Sequence, residues 1–160
     1  CYFSSMFDLY GLPEDFPGHK EAMSINDPYQ KVSHLEKCLL EDLQTAVPPE
    51  RMIPYIQLHE FETLIFAEPA KLGNEFLDDD HQAKIQEFVR FAEQHQSPER
   101  INDGLETAPS KRITQALPSF KNQKSTAGVN VVADIGLDVL RSQCPHFNEW
   151  VTKLEQLKLC

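Results

Sequence analysis

The ten residues from Ile53 to Glu62 constrain the fold more than any others in the chain. In Ile53-Pro54-Tyr55-Ile56-Gln57-Leu58, Ile56 and Leu58 fall on one side and Tyr55 and Gln57 on the other, the two-residue period of a β-strand. His59, Glu60 and Glu62 crowd its carboxyl end. From there Phe61-Glu62-Thr63-Leu64-Ile65-Phe66 can turn into a helix. Carboxylates set beside Leu58, Phe61 and Leu64 need a partner or a cation if they are half-buried. In open α/β sheets, ligands bind in the crevice outside the carboxyl ends of the strands.

A second strand precedes this one. Tyr2-Phe3-Ser4-Ser5-Met6-Phe7-Asp8 reads as a strand already under way, so we expect a strand and a helix before it. Two Gly and two Pro between Tyr10 and Gly18 make an ordered, turn-rich loop. Asn26 or Asp27 caps a helix with Pro28 in its first turn. Its apolar face runs Val32, Leu35, Leu39, Leu40 and Leu43, and Pro48-Pro49 stops it. Two strands about 45 residues apart with a helix between them form a βαβ unit.

Beyond Phe61 the pattern is helical. A helix from about Asp80 to His95 should bury Ile85, Phe88, Val89 and Ala92, with Asp78-Asp79-Asp80 capping its start. Ser97 to Ala108 reads as polar and irregular. Thr107 caps a helix over Ala108–Leu117. Ser125 or Thr126 opens another, through Val129, Val132 and Ala133 to a break at Gly136, and Leu137 to Arg141 continues it. The last helix starts at Pro145 and carries Phe147, Trp150, Val151 and Leu154. The expected architecture is α/β: a small, mostly parallel sheet with a helical C-terminal subdomain. It forms a single domain over 1–160, with the βαβ part at 1–68, the helical part at 69–160, and an incomplete N-terminal end.

The formal net charge of −10 over 160 residues argues against a broad electrostatic grip on a nucleic-acid backbone. It leaves room for an enzyme that meets nucleic acid locally through a metal, since carboxylates hold such cations. No apolar run approaches the roughly 18 residues of a membrane span, and no signal peptide is visible. The four cysteines, Cys1, Cys38, Cys144 and Cys160, have no CxxC spacing. They read as free thiols of a cytoplasmic protein, with a Cys1–Cys160 bridge as the alternative.

Four constellations could carry chemistry. Asp8 ends a strand just before a tight turn, as a metal ligand or as a cap on backbone N–H groups. His59, Glu60 and Glu62 form the second. With Asp8 on the neighbouring strand, the two glutamates would make an oxygen-rich cage for Mg²⁺ or Mn²⁺. His59 would be a base or a ligand. The competing reading has Glu62 in the first turn of a helix, favouring its dipole. The third is Ser110-Lys111-Arg112, at a helix start whose N–H groups attract phosphate, or else a surface turn neutralised by Glu106. The fourth is Arg141 with Cys144-Pro145-His146, a nucleophile pair or a capping turn that packs Phe147 and Trp150. His34 and Cys38 share a helix face and read as ordinary packing.

The segments MFDLYGLPEDFPG, IPYIQLHEFETLIF, INDGLETAPSKRI and CPHFNEW resemble the prokaryotic domain-of-unknown-function family forty-two seventy-six over nearly the whole chain. That family is itself similar to Toprim-like proteins, which include nucleases of the overcoming-lysogenization-defect kind and anti-phage defence components, often beside an ATPase partner. The resemblance implies a divalent-metal-dependent phosphodiesterase or nuclease acting on nucleic acid. Asp8 would match the first acid of a DxD pair. Glu62, and Glu60 less closely, would match the acid after the next strand, giving metal ligands Asp8, Glu60 and Glu62, with Glu62 also catalytic; His59, read above as a base, joins it as a catalytic group. On the helix-start reading Ser110, Lys111 and Arg112 would grip phosphate; Tyr10, His59, Arg112 and His146 fall inside family motifs that assign them no role. Two departures stand out. Tyr10 occupies the place of the second Asp, and the family's EGxTE segment is absent. The alternative is a non-catalytic Toprim-like scaffold that binds the ATPase.

Overall fold

Pro54 has no N–H to give a β-ladder, and it divides the central strand pair of this protein in two. The computed structural model describes residues 1–101 and 104–157. Strand β1 (Phe3–Ser4) pairs in parallel with β3 (Met52–Ile53), and β2 (Phe7–Asp8) with β4 (Ile56–Gln57). The register is one continuous offset of 49 residues, which carries on to Tyr10 and His59. Opposite the proline, the Ser5 side chain bridges the gap. Its Oγ accepts the Tyr55 N–H at 3.0 Å.

The chain divides into two compact units, 1–60 with 149–160, and 61–148. In the first, α1 (His19–Ala22) leads to α2 (Pro28–Leu43). The α2 start follows the sequence signal, because Asp27 Oδ1 accepts the Gln30 N–H at 3.0 Å and Pro28 takes the first turn. Val32 and Leu35 of α2 pack on Ala22, Ile56 and Leu58. Leu39 is also buried, whereas Leu40 and Leu43 are half-exposed. The other side of the strand is covered as well. Tyr55 stacks on Trp150 with ring centroids 4.4 Å apart, and its hydroxyl donates to Gln57 Oε1 at 2.6 Å. The alternation of Tyr55, Ile56, Gln57 and Leu58 is therefore real, but all four are buried, as in a parallel strand covered on both faces. Glu36 of α2 closes the outer side of β4 by accepting the Ile56 N–H at 2.8 Å.

The second unit is helical. It opens with 3₁₀ turns at Phe61–Ala67 and Pro69–Asn74, followed by α3 (Asp79–Ala92), α4 (Pro109–Ala116), α5 (Phe120–Ile135) and α6 (Leu137–Gln143). Helix α7 (Pro145–Glu155) carries the boundary between the units. The core gathers Leu64, Ile65, Phe66, Leu72, Ile85, Ile113, Leu117, Phe120 and Val131.

Several local expectations change. Asp78 precedes α3 but makes no capping hydrogen bond, and Val89 and Ala92 are only half-buried. Thr107 does not cap α4; Ala108 stands at that position, with Pro109 in the first turn. Helix α5 starts at Phe120, not at Ser125 or Thr126. It buries Ala127, Gly128, Val131 and Ile135 and leaves Val129 53% exposed. Leu117 N–H···O bonding to Ile113 and a buried Phe120 set that earlier start. Among the described residues no helix is long and apolar enough to cross a membrane. Cys1, Cys38 and Cys144 are free thiols. Cys160 lies outside the described residues, as do Asn102 and Asp103 of the segment INDGLETAPSKRI.

Candidate functional site

In the first unit, the carboxyl ends of β2 and β4 bring Asp8, Tyr10, His59 and Glu60 to the same end of the parallel pair. Asp8 lies opposite Gln57 in the register. It is half-buried, and its side chain does not cap the 3₁₀ turn Leu9–Gly11 that follows. Two positions on, Tyr10 N–H donates to the His59 carbonyl at 2.9 Å, and the Tyr10 hydroxyl meets His59 Nδ1 at 3.0 Å. The rings lie 5.4 Å apart.

His59 is buried, and among the described residues it is the only non-glycine with positive φ, at 63°. A left-handed conformation costs an L-residue about 1–2 kcal/mol, and such strain clusters at functional sites. Glu60 is 9% exposed.

Glu62 belongs to the second unit, in the 3₁₀ turn Phe61–Ala67. It is 3% exposed, and its Oε1 lies 3.2 Å from Nζ of Lys124 on α5. A partner charge of this kind lets a carboxylate stay buried and ionised. Among the described residues no group of three or more His, Cys, Asp and Glu is placed to hold a metal ion.

The Ser110-Lys111-Arg112 start of α4 separates into different roles. Ser110 is half-buried and Lys111 is exposed, with its Nζ 3.3 Å from Glu106. Arg112 turns back on its own loop. Its Nε donates to the Thr107 carbonyl at 2.7 Å, and its guanidinium lies 4.8 Å above the Phe91 ring.

The Cys144–His146 pair has a clear structural role. Glu99, which the sequence reading passed over, is fully buried. Its Oε2 accepts the His146 N–H at 3.0 Å, and its Oε1 accepts the Phe147 N–H at 3.0 Å. One carboxylate thus satisfies two N–H groups at the α7 start and sits at the positive end of the helix dipole. Burial pushes the Cys144 thiol far above its ordinary range, and the Glu99 charge adds to the shift. A thiol held neutral in this way is no nucleophile. Ser97 completes the clamp by donating to the Gln143 carbonyl at 2.8 Å. The segment Ser97–Glu99, expected to be a polar irregular stretch, is a buried brace for the α6–α7 junction. Across the same junction, Arg141 Nε of α6 donates to Asn148 Oδ1 of α7 at 2.8 Å.

The sequence carried one signal for Glu99. Pro145 starts a helix, but the preceding Cys144 has no side-chain oxygen to cap it, so the acceptor had to come from elsewhere.

His34 and Cys38 lie 3.6 Å apart on α2. The Cys38 thiol is raised above its ordinary value by burial, with Glu41 and Glu21 adding to the effect and Lys37 opposing it.

The family model for a domain of unknown function, DUF4276, matches residues 1–155. The chain belongs to this family. No curated protein and no solved structure matches the chain. In this DUF4276 protein the candidate site is the end of the parallel pair that holds Asp8, Tyr10, His59 and Glu60.

Proposed function

We propose that this DUF4276 protein is a phosphodiester hydrolase of the nuclease type, with His59 as its acid–base group. The observation that carries the reading is the His59 conformation. A buried imidazole is held at φ 63° and bonded to Tyr10, at the carboxyl end of a parallel strand pair. That is where open α/β proteins place their ligands. A histidine is also the side chain whose ordinary pKa suits proton transfer near neutrality. The Toprim-like likeness supports phosphodiester chemistry, and Asp8 and Glu60 at the same end support a cation-binding role. The net charge of −10 fits a local rather than a backbone-wide contact with nucleic acid.

The Mg²⁺ or Mn²⁺ that the likeness implies has no ready cage. Among the described residues no three ligand side chains converge, and Glu62 faces Lys124. The chemistry proposed here is therefore limited to proton transfer at His59. Calorimetric titration of Mn²⁺ into wild type and Asp8→Asn tests the cofactor separately.

The decisive test is cleavage of single- and double-stranded DNA and RNA by wild type and His59→Asn. Asn tolerates the left-handed conformation, so the backbone should hold while the proton-transfer group is lost. We expect a fall in turnover of about 10²-fold or more, the usual contribution of a general acid–base. Unchanged turnover in a folded His59→Asn protein removes the reading.

A non-catalytic scaffold is the second reading, favoured by a specific observation in the first unit. Tyr2, Phe3, Met6 and Phe7 are all 38% exposed or more along one short segment. Exposed apolar clusters mark interaction sites, and the partner we propose is the ATPase that the Toprim-like resemblance implies. Capture of that ATPase by a catalytically silent protein would support this reading.

A further inference from the structure

We infer that the groove between α3 and α4 is a binding site for a phosphate-type oxyanion, gripped by Arg112 and Lys84. The groove has a volume of about 420 Å³ and is lined by Lys84, Glu87, Phe88, Phe91, Arg112 and Gln115. It lies wholly within the second unit, and the inference stands independently of the His59 reading.

Among the described residues of the second unit, Lys84, Arg90, Arg112 and Lys121 have no carboxylate within ion-pair distance, and of these Lys84 and Arg112 border the groove. Lys71 lies 3.9 Å from Glu68, Lys111 lies 3.3 Å from Glu106, and Lys124 lies 3.2 Å from Glu62. The protein carries 25 acids against 15 bases. Two unneutralised cations bordering one groove of an acidic protein call for an anion. Glu87 is the single acid on the lining, so the groove remains net positive.

Arg112 is also preorganised. The Thr107 carbonyl fixes its Nε and the Phe91 ring supports its plane. A guanidinium held in this way loses little side-chain entropy on binding, and its remaining N–H groups match the paired oxygens of a phosphate. Gln115 adds an amide donor on the same lining. With Arg112 over Phe91, His95 4.7 Å from the same ring and Phe88 buried, the groove favours a phosphate over a stacked base. The source of that phosphate is either a free anion or a nucleic-acid backbone.

The test titrates inorganic phosphate, and separately a short single-stranded oligonucleotide, into the whole protein. Calorimetry and the NMR signal of the Arg112 Nε–H report binding. Arg112→Ala and Lys84→Ala are compared with Lys121→Ala, an exposed lysine on α5 outside the groove. Arg112→Ala is expected to weaken binding about tenfold or more, and Lys84→Ala severalfold. Lys121→Ala should bind as wild type. Lys84 has no hydrogen bond to lose, so its variant keeps the test open if Arg112→Ala fails to fold. Loss of both ligands in the two groove variants supports the site and assigns it to a phosphodiester backbone. Loss of phosphate binding with no oligonucleotide binding supports it as a small-anion site. An Arg112 Nε–H signal unmoved by either ligand, or binding retained in both groove variants, overturns it.

Discussion

The Tyr10 hydroxyl lies 3.0 Å from His59 Nδ1, while the Tyr10 N–H donates to the His59 carbonyl at 2.9 Å. One residue thus fixes both the backbone and the ring of a histidine held at φ 63°. Tyr10→Phe deletes only the hydroxyl and leaves the ring in place. We expect a loss of about 1 kcal/mol in stability by urea unfolding. We also expect an altered ¹⁵N signature for the His59 imidazole, because the hydroxyl no longer biases its tautomer. An unaltered imidazole spectrum would show that the hydroxyl does not position the ring.

Glu99 accepts two N–H groups at the start of α7 from a fully buried position. Glu99→Gln keeps the shape but presents an amide NH₂ to one of those donors. That leaves a buried N–H facing another donor and removes the charge that favours the helix start. A destabilisation of about 2–3 kcal/mol is expected, read from the urea midpoint. A midpoint equal to wild type would mean that the carboxylate is not holding the helix.

The same burial governs Cys144. The folded protein keeps its thiol protonated, whereas in the unfolded chain a thiol ionises near pH ~8.5. Above that pH the unfolded state binds fewer protons than the folded one. The stabilisation is therefore complete below pH ~8.5 and erodes as pH rises. Urea midpoints should fall between neutral and strongly alkaline pH, and less so in Cys144→Ala. Cys144 should also resist a thiol reagent until the protein unfolds, while the exposed Cys1 reacts at once.

How far the sequence foretold this arrangement varies with how local the cause is. Strand β4 (Ile56–Gln57) and the Asp27–Pro28 helix start were legible, because alternation and capping act between near neighbours. The start of α5 was not. Residues 121–126 are polar and exposed, so no apolar period announces a helix before Ala127. What sets the start is the burial of Phe120 at a turn closed by Leu117. Glu99 was invisible for a related reason, since its partners lie 47 and 48 residues away. Glu60 and Glu62 read as one acidic pair, yet Glu62 pairs with Lys124, whose proximity only the helical packing creates.

Gly18 gives a test in the first unit. Its φ of +75° is strained for any L-residue, and an added Cβ would lie 2.5 Å from Cys38 Sγ and 2.9 Å from Cys38 Cβ. Gly18→Ala therefore combines backbone strain with overpacking against α2. The expected destabilisation is about 2–4 kcal/mol. In the Gly18→Ala, Cys38→Ala double variant the sulfur is gone, while the backbone strain, the Cys38 Cβ contact and the approach to His34 Nε2 at 3.0 Å remain. Thermal unfolding should show the double variant less destabilised than the sum of the singles. Strict additivity would place the strain elsewhere.

The Glu62–Lys124 pair is asymmetric, with side chains 3% and 44% exposed, and this asymmetry separates two accounts of Glu62. If the glutamate serves the fold, removing each partner has unequal effects. Lys124→Ala takes a countercharge from a buried carboxylate, whereas Glu62→Gln leaves a lysine that can turn into water. The solvent-exposed side of the pair screens the interaction, so we expect about 1–2 kcal/mol for Lys124→Ala and less for Glu62→Gln. If Glu62 instead serves as a metal ligand, removing the competing ammonium should strengthen Mn²⁺ binding in Lys124→Ala and abolish it in Glu62→Gln. Unfolding curves of the two variants, each run with and without Mn²⁺, read both effects at once. A stability order that ignores Mn²⁺ assigns Glu62 to the fold. A Mn²⁺-dependent stabilisation confined to Lys124→Ala and wild type assigns it to a cation.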